Sequence, residues 1–405
     1  MRSNYKRLGQ FIQQVSVKNI NLEVDNLLGV SITKKFIPSI ANTIGTDMST
    51  YKIVKKNQFT YGSITSRNGD KISVALLEDD EAIVSTSYTV FEVTKQDELL
   101  PEYLMMWFRR EEFDRYARYM SHGSTREAFG WDEMCEVELP IPSIEKQREI
   151  VKEYHTIVDR IKLGEQLNQK LEETAQSIYK EWFVNFEFPD KNGKPYKSNG
   201  GEMVYCDELE MEIPKGWKYK RLDTVGEIVT GKTPRTNNIN NYGKDIPFIT
   251  IPDMHNKLYV NNTKRFLSKI GENSQKNKTL PKNSICVSCI ATPGLVALIS
   301  KKSQTNQQIN SIKCNNDFSY CYGYFALKEL GIKIKEWSQK GSIGANFNKT
   351  EFSQLKVLVP TKNVQYSFHT SIDNFFKLIK CTSEELELLV EMKEILLSKM
   401  ATIEG

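Results

Sequence analysis

The segment Gly226-Glu227-Ile228-Val229-Thr230-Gly231-Lys232-Thr233 has the spacing G-x-x-x-x-G-K-T, in which backbone amides cradle a phosphate and the lysine neutralises it. That chemistry needs a buried strand before the loop and a helix after it. Here Pro234 follows the threonine, and the polar run Arg235-Thr236-Asn237-Asn238-Ile239-Asn240-Asn241 follows the proline. Asp253 is the best candidate for a metal-holding carboxylate, yet Pro247 and Pro252 precede it and spoil a central strand. Cys286-x-x-Cys289, with Cys314 and Cys321 downstream, has a zinc-like spacing. It lies in an apolar strand-like run with no glycine for a knuckle, and residues three apart on a strand face opposite sides. His122, His155, His255 and His369 are scattered, and His155 and His369 fall in helical segments with a solvated face. The chain has no N-P-P-[FYW] or D-P-P-[FYW] methyltransferase signature, no glycine-rich cofactor loop and no paired-carboxylate arrangement that stands out. The expectation is a chain with no catalytic residue, no metal and no cofactor of its own.

The elements that would position any binding residues come from an internal duplication. Gly123-Ser124, Phe129, Pro142 and Gln147 return as Gly341-Ser342, Phe347, Pro360 and Gln365, each 218 positions on. The same offset maps Ile150, Tyr154, Ile157, Ile161, Leu171, Ile178 and Trp182 onto Phe368, Ile372, Phe375, Ile379, Leu389, Leu396 and Met400. Their spacings of three and four are those of a helical stripe, and no proline interrupts either run. Ser143 and Thr361 stand at the N-cap positions after Pro142 and Pro360. This predicts two helices of about 38 residues, roughly 57 Å long at ~1.5 Å per residue. Each helix is the natural partner for the apolar stripe of the other. The seam weakens at Gly164, Asn168 and Thr382, either to fix register or as tolerated polar positions.

Each helix is preceded by a globe, and the two globes resemble each other less cleanly. Arg7-Leu8 matches Arg221-Leu222, Lys56-Asn57 matches Lys282-Asn283, and Val74-Ala75-Leu76 matches Val296-Ala297-Leu298. The drifting offsets require insertions in loops, as expected where loops hold separate specificities. The expected order is a first globe over residues 1–142, a helix over 143–185, a turn-rich connector over 186–203, a second globe over 204–360 and a second helix over 361–405. The fold class is α+β: two similar α/β domains separated by two long helices paired as an antiparallel coiled coil, related by a pseudo-two-fold repeat.

Composition sets the bounds. The chain has 405 residues, 39% hydrophobic and 26% charged, enough for two or three cores and unlike a disordered sequence. No apolar run approaches a membrane span, and the amino terminus lacks a signal-peptide core, so a cytoplasmic protein is expected. Seven scattered cysteines fit reduced thiols. The net charge of +4 hides an asymmetry: 17 Lys+Arg stand against 20 Asp+Glu over residues 1–142, and 23 against 13 over residues 203–360. The second globe therefore suits a polyanion better than the first.

With these features the sequence resembles the specificity subunits of type I restriction–modification enzymes over nearly its whole length. The likeness is carried by Leu139-Pro140-Ile141-Pro142 with Gln147, Val357-Leu358-Val359-Pro360 with Gln365, Glu212-Ile213-Pro214-Lys215-Gly216-Trp217, Thr230-Gly231-Lys232-Thr233-Pro234 and Thr305-Asn306-Gln307-Gln308-Ile309. The first globe departs, with Val84-Ser85-Thr86-Ser87-Tyr88 where the second has Thr305 to Gln308. The resemblance implies two target-recognition domains that read the halves of a split, asymmetric double-stranded DNA site. The helices would act as a ruler of roughly 17 base pairs at ~3.4 Å each. It also implies two modification subunits, which use S-adenosylmethionine to methylate a flipped-out adenine. Restriction subunits, translocase–nucleases using ATP and Mg2+, would complete the complex.

Candidate DNA contacts follow from residue chemistry. Asn306, Gln307 and Gln308 carry amides suited to adenine, and Arg67, Arg126 and Arg235 could reach guanine. Lys34, Lys35, Lys232 and Thr233 suit phosphate. Asn68, Ser85, Thr86 and Thr305 complete the expected set. On the helices, Ile150, Tyr154, Ile161, Leu171, Trp182, Phe368, Ile372, Phe375, Leu389 and Leu396 are expected at subunit interfaces. Competing readings are a two-domain DNA-binding or scaffold protein outside a restriction system, and a nucleotide hydrolase.

Overall fold

A computed structural model describes residues 5–39, 45–66, 69, 71–122, 127–339 and 348–403. Its contacts divide into two units, one running to Ile161 and resuming at Leu388, the other Lys162–Glu387. The division falls inside both long helices.

The first unit holds a four-stranded antiparallel sheet of β2 (Ile12–Val15), β3 (Gln58–Gly62), β4 (Val74–Leu76) and β5 (Tyr88–Val93), in the order β2-β5-β3-β4. A separate pair, β1 (Tyr5–Arg7) with β6 (Glu138–Pro140), closes the chain ends of the domain. Helix α1 (Pro101–Phe108) lies nearly wholly buried against the sheet, with proline in its first turn where the missing N–H costs nothing. Phe59, Phe91 and Phe108 form the centre of this core, Phe59 and Phe91 stacked at 4.8 Å. Helix α2 (Ile144–Phe183) leaves the domain directly after Ser143, whose hydroxyl accepts from Lys146 N at 3.3 Å.

The second unit repeats the plan. Strands β7 (Lys218–Arg221) and β13 (Lys356–Val359) pair as β1 and β6 do. A sheet of β8 (Gly226–Thr230), β10 (Ile285–Ser288), β11 (Val296–Ile299) and β12 (Ile309–Cys314) runs β8-β12-β10-β11, and β9 (Tyr259–Val260) adds a parallel edge to β11. The strand order first-last-second-third is therefore the same in both domains. The matched sequence fragments fall on matched positions: Val74-Ala75-Leu76 and Val296-Ala297-Leu298 are the corresponding strands. Asn57 and Asn283 both take a left-handed turn at φ 66° before or at the entry to the central strand. Helix α3 (Tyr320–Gln339) corresponds to α1, and helix α4 (Lys362–Lys399) begins after Thr361 as α2 begins after Ser143.

The two long helices pack antiparallel within each unit. In the second, Tyr179 and Phe183 of α2 meet Phe368 of α4, Phe183 to Phe368 at 4.8 Å. In the first, Ile150 and Tyr154 share a core with Leu397 and Met400. The weak seam is a contact: a Cβ on Gly164 would stand 2.8 Å from Leu386 Cδ2 and 3.3 Å from Thr382 Cγ2, and Asn168 Nδ2 donates to Ser383 Oγ at 3.0 Å. Glycine permits the close approach. The stripe does not pair helix to helix alone, because Phe368 and Ile372 also enter the second domain's core with Tyr322 and Phe325.

Candidate nucleic-acid interface

The phosphate-loop look-alike is resolved by its backbone. Gly226–Thr230 is strand β8, paired antiparallel with β12. Gly231 N then donates to Ile309 O at 3.1 Å and Lys232 N to Thr305 O at 2.9 Å, so these amides are not free to cradle an anion. Gly231 is needed for packing, since a Cβ there would lie 2.1 Å from Asn306 O. Asp253 caps a short helix, its carboxylate accepting from Thr250 N at 2.8 Å and Thr250 Oγ1 at 2.7 Å. Cys286 and Cys289 fill the core beside Ser311 and Asn310, and burial pushes their thiols up to about 12 and about 11.

What the look-alike builds instead is a solvent-facing turn cluster at the end of the second sheet. Thr233 Oγ1 donates to Gln307 Oε1 at 2.6 Å, joining residues 74 positions apart. Lys232 and Arg235 are exposed, and among the described residues neither forms an ion pair. A third segment joins them: the buried Gln275 donates through Nε2 to Lys232 O at 2.6 Å and to Gln304 Oε1 at 2.8 Å, placing exposed Lys276 beside the cluster. Two segments thus present cations beside a third that carries Gln307, whose amide Thr233 holds. Gln275 and Lys276 were not legible from sequence, because no local spacing links position 275 to position 232.

Several predicted contacts serve the fold instead. Thr305 is fully buried. Asn306 is 8% exposed; its Nδ2 donates to Gln308 Oε1 at 2.9 Å and its Oδ1 accepts from Gln308 N at 3.1 Å, so these two amides fix the turn. Lys34 is 5% exposed, paired to Asp114 at 2.8 Å and donating to Phe108 O, and burial pulls its amine below the usual range. It staples a loop to the first domain and presents no charge to a phosphate.

In the first domain, Ser85, Thr86 and Ser87 form the turn just before β5, the place that Asn306, Gln307 and Gln308 hold before β12. Ser85 is half-buried and Thr86 exposed. Lys35 is exposed on a hairpin that Tyr88 Oη ties to this region by accepting from Val30 N at 3.3 Å. Arg67, Asn68 and Arg126 lie outside the described residues.

Of the residues expected at subunit interfaces, Ile150, Tyr154, Phe368 and Ile372 are at most 5% exposed and belong to this chain's own cores. Ile161, Leu171, Trp182, Phe375, Leu389 and Leu396 are half-buried. The outward apolar side chains of the helices are others, among them Leu163 and Leu378 in the second unit and Leu388 and Met392 in the first.

Two copies of one sheet-and-helix domain, each launching a long helix and each ending its sheet in a polar turn, define a recognition protein. A family model described as the type I restriction modification DNA specificity domain matches residues 9–173 and 214–390, and the chain belongs to that family. It is 32% identical to the Type I restriction enzyme HindI specificity subunit of Haemophilus influenzae, covering 86% of each chain. It is 26% identical to the Type I restriction enzyme MjaIX specificity subunit of Methanocaldococcus jannaschii, over 76% of this chain and 70% of that one. The crystal structure of a type I restriction–modification S subunit from M. genitalium shares the fold, with a TM-score of 0.60 at 13% identity over 99% of this chain and 96% of that one. The chain is thus a DNA-specificity subunit without catalysis of its own.

Proposed function

We propose that each domain reads one half of a split, asymmetric DNA site, and that the paired helices set the distance between the halves. The observation carrying this reading is that one fold occurs twice with different residues on the same turn, Ser85-Thr86-Ser87 against Asn306-Gln307-Gln308. An identical framework with divergent turns suits two different half-sites. In the second domain Lys232, Lys276 and Arg235 meet the sugar–phosphate backbone, and Gln307, its amide held by Thr233, meets a base edge. In the first, Lys35 takes a phosphate and Thr86 approaches a base.

The partners are two modification subunits that use S-adenosylmethionine, and restriction subunits that use ATP and Mg2+. Modification subunits dock on the outward apolar residues of the long helices, Leu163, Leu378, Leu388 and Met392, because the inward stripe is consumed within the chain. Affinity purification of this chain from its own cells, followed by transfer of labelled methyl groups to DNA, tests the assembly. A DNA adenine methyltransferase should come down with it; DNA binding without any associated methyl transfer would remove the restriction–modification reading.

A further inference from the structure

We infer that Gln147 and Gln365 are paired positioning residues, each locking a recognition domain to its long helix in one orientation and so setting the gap between half-sites. The inference rests on the two-domain DNA reading above. Gln147 is fully buried and Gln365 is 3% exposed, one turn inside the start of α2 and α4. Gln147 Oε1 accepts from Leu100 N at 2.9 Å, while its Nε2 donates to Glu98 O at 2.7 Å and Pro142 O at 2.9 Å. Gln365 repeats the pattern: Oε1 accepts from Ser319 N at 2.9 Å, and Nε2 donates to Pro360 O at 2.8 Å and Asp317 O at 3.4 Å.

The partners are equivalent in position. Leu100 and Ser319 are the residues immediately before α1 and α3, the domain helices, and Pro142 and Pro360 each stand one residue before Ser143 and Thr361, from which the long helices start. Each amide therefore joins three backbone points: two on the entry to the domain helix and one at the root of the long helix. Apolar contacts around each joint are non-directional and tolerate a small rotation of the helix root, beside single hydrogen bonds such as Tyr103 Oη donating to Pro140 O at 3.2 Å and Ser319 Oγ with His369 Nδ1 at 3.2 Å. Three directional bonds from one planar amide do not. No other ordinary side chain fits: a carboxylate would set an oxygen against two carbonyls, and a shorter amide would not span the joint.

The test uses the full complex with its modification subunit and a plasmid library in which both half-sites are kept and the gap is varied by one or two base pairs. Gln365→Met keeps the volume and removes the bonds, and Gln147→Met does the same at the other joint. The expected result is that both half-sites are still read while the preference for the native gap over its neighbours falls at least tenfold. A merely structural role would lower yield or melting temperature and leave the gap preference as sharp as before, which would overturn the inference. Should Gln365→Met fail to accumulate, Gln365→Ser leaves room for water to meet the same groups. Failure of both variants to fold would assign the glutamines to stability and equally overturn it. If the unaltered complex methylates no split site, the DNA reading itself fails, separately from the role of the glutamines.

Discussion

Lys232 sits where a nucleotide-binding lysine would be expected, and its surroundings give it a different task. Its amide is bonded to Thr305 O and its side chain faces solvent, so it suits an extended anion better than a cradled phosphate. Lys232→Ala should weaken DNA binding about equally for all sequences and reduce the slope of log affinity against log salt by about one, measured by titration at several salt concentrations. Gln307→Ala should cost about 1–3 kcal/mol for the cognate second half-site and relax selectivity at one base, with the first half-site unaffected. Glu329 is a further residue whose environment makes a prediction. Burial holds its carboxyl above the usual range, although Tyr179 Oη donates to it at 3.2 Å. A raised carboxyl pKa means the folded chain favours the protonated form, so native stability is full at acid pH and falls as pH rises through the folded value. Glu329→Gln should therefore melt higher than the native protein at pH 8 and equal it near pH 4. At this scale the sequence was only partly legible. Of the residues singled out by type, Lys232 and Gln307 are exposed and Thr233 bonds Gln307, whereas Lys34 and Thr305 are of the same types and are buried, and burial is decided by contacts with Asp114, Phe108 and the second sheet that no local spacing encodes.

Among the elements, the long helices were the most legible, because an uninterrupted three-and-four spacing over nearly forty residues has one structural solution. Their ends followed from Pro142-Ser143 and Pro360-Thr361. What periodicity did not show is how the stripe is shared: Phe368 and Ile372 serve the domain core as well as the helix pair. Phe368→Ala should cost about 3–5 kcal/mol and unfold the second unit, which thermal melting would register. The crossing at Gly164 is tighter. Gly164→Leu must displace Leu386 and Thr382, and overpacking of this kind costs about 1–3 kcal/mol, so a lower melting temperature is expected. Sheets were less legible than helices, since their strands are short and paired over long separations. Val74-Ala75-Leu76 and Val296-Ala297-Leu298 gave the equivalence of two strands, while the common strand order emerged only from the pairing of β2 with β5 and β8 with β12.

For the molecule as a whole, duplication is the organising fact. One domain plan is made twice, and each copy is tied to a helix root by the same buried glutamine. Charge balance and turn residues set the copies apart: 17 cationic against 20 anionic side chains in the first globe, 23 against 13 in the second. A chain of this design should behave modularly. Exchanging residues 204–360 for the corresponding domain of a relative should change one half of the recognised site and leave the other half intact. The most direct measurement is single-base methylation mapping of genomic DNA from cells with and without this chain. Loss of methyladenine at one split, asymmetric motif and at no other is the expected result. An unchanged set of methylated motifs would contradict it.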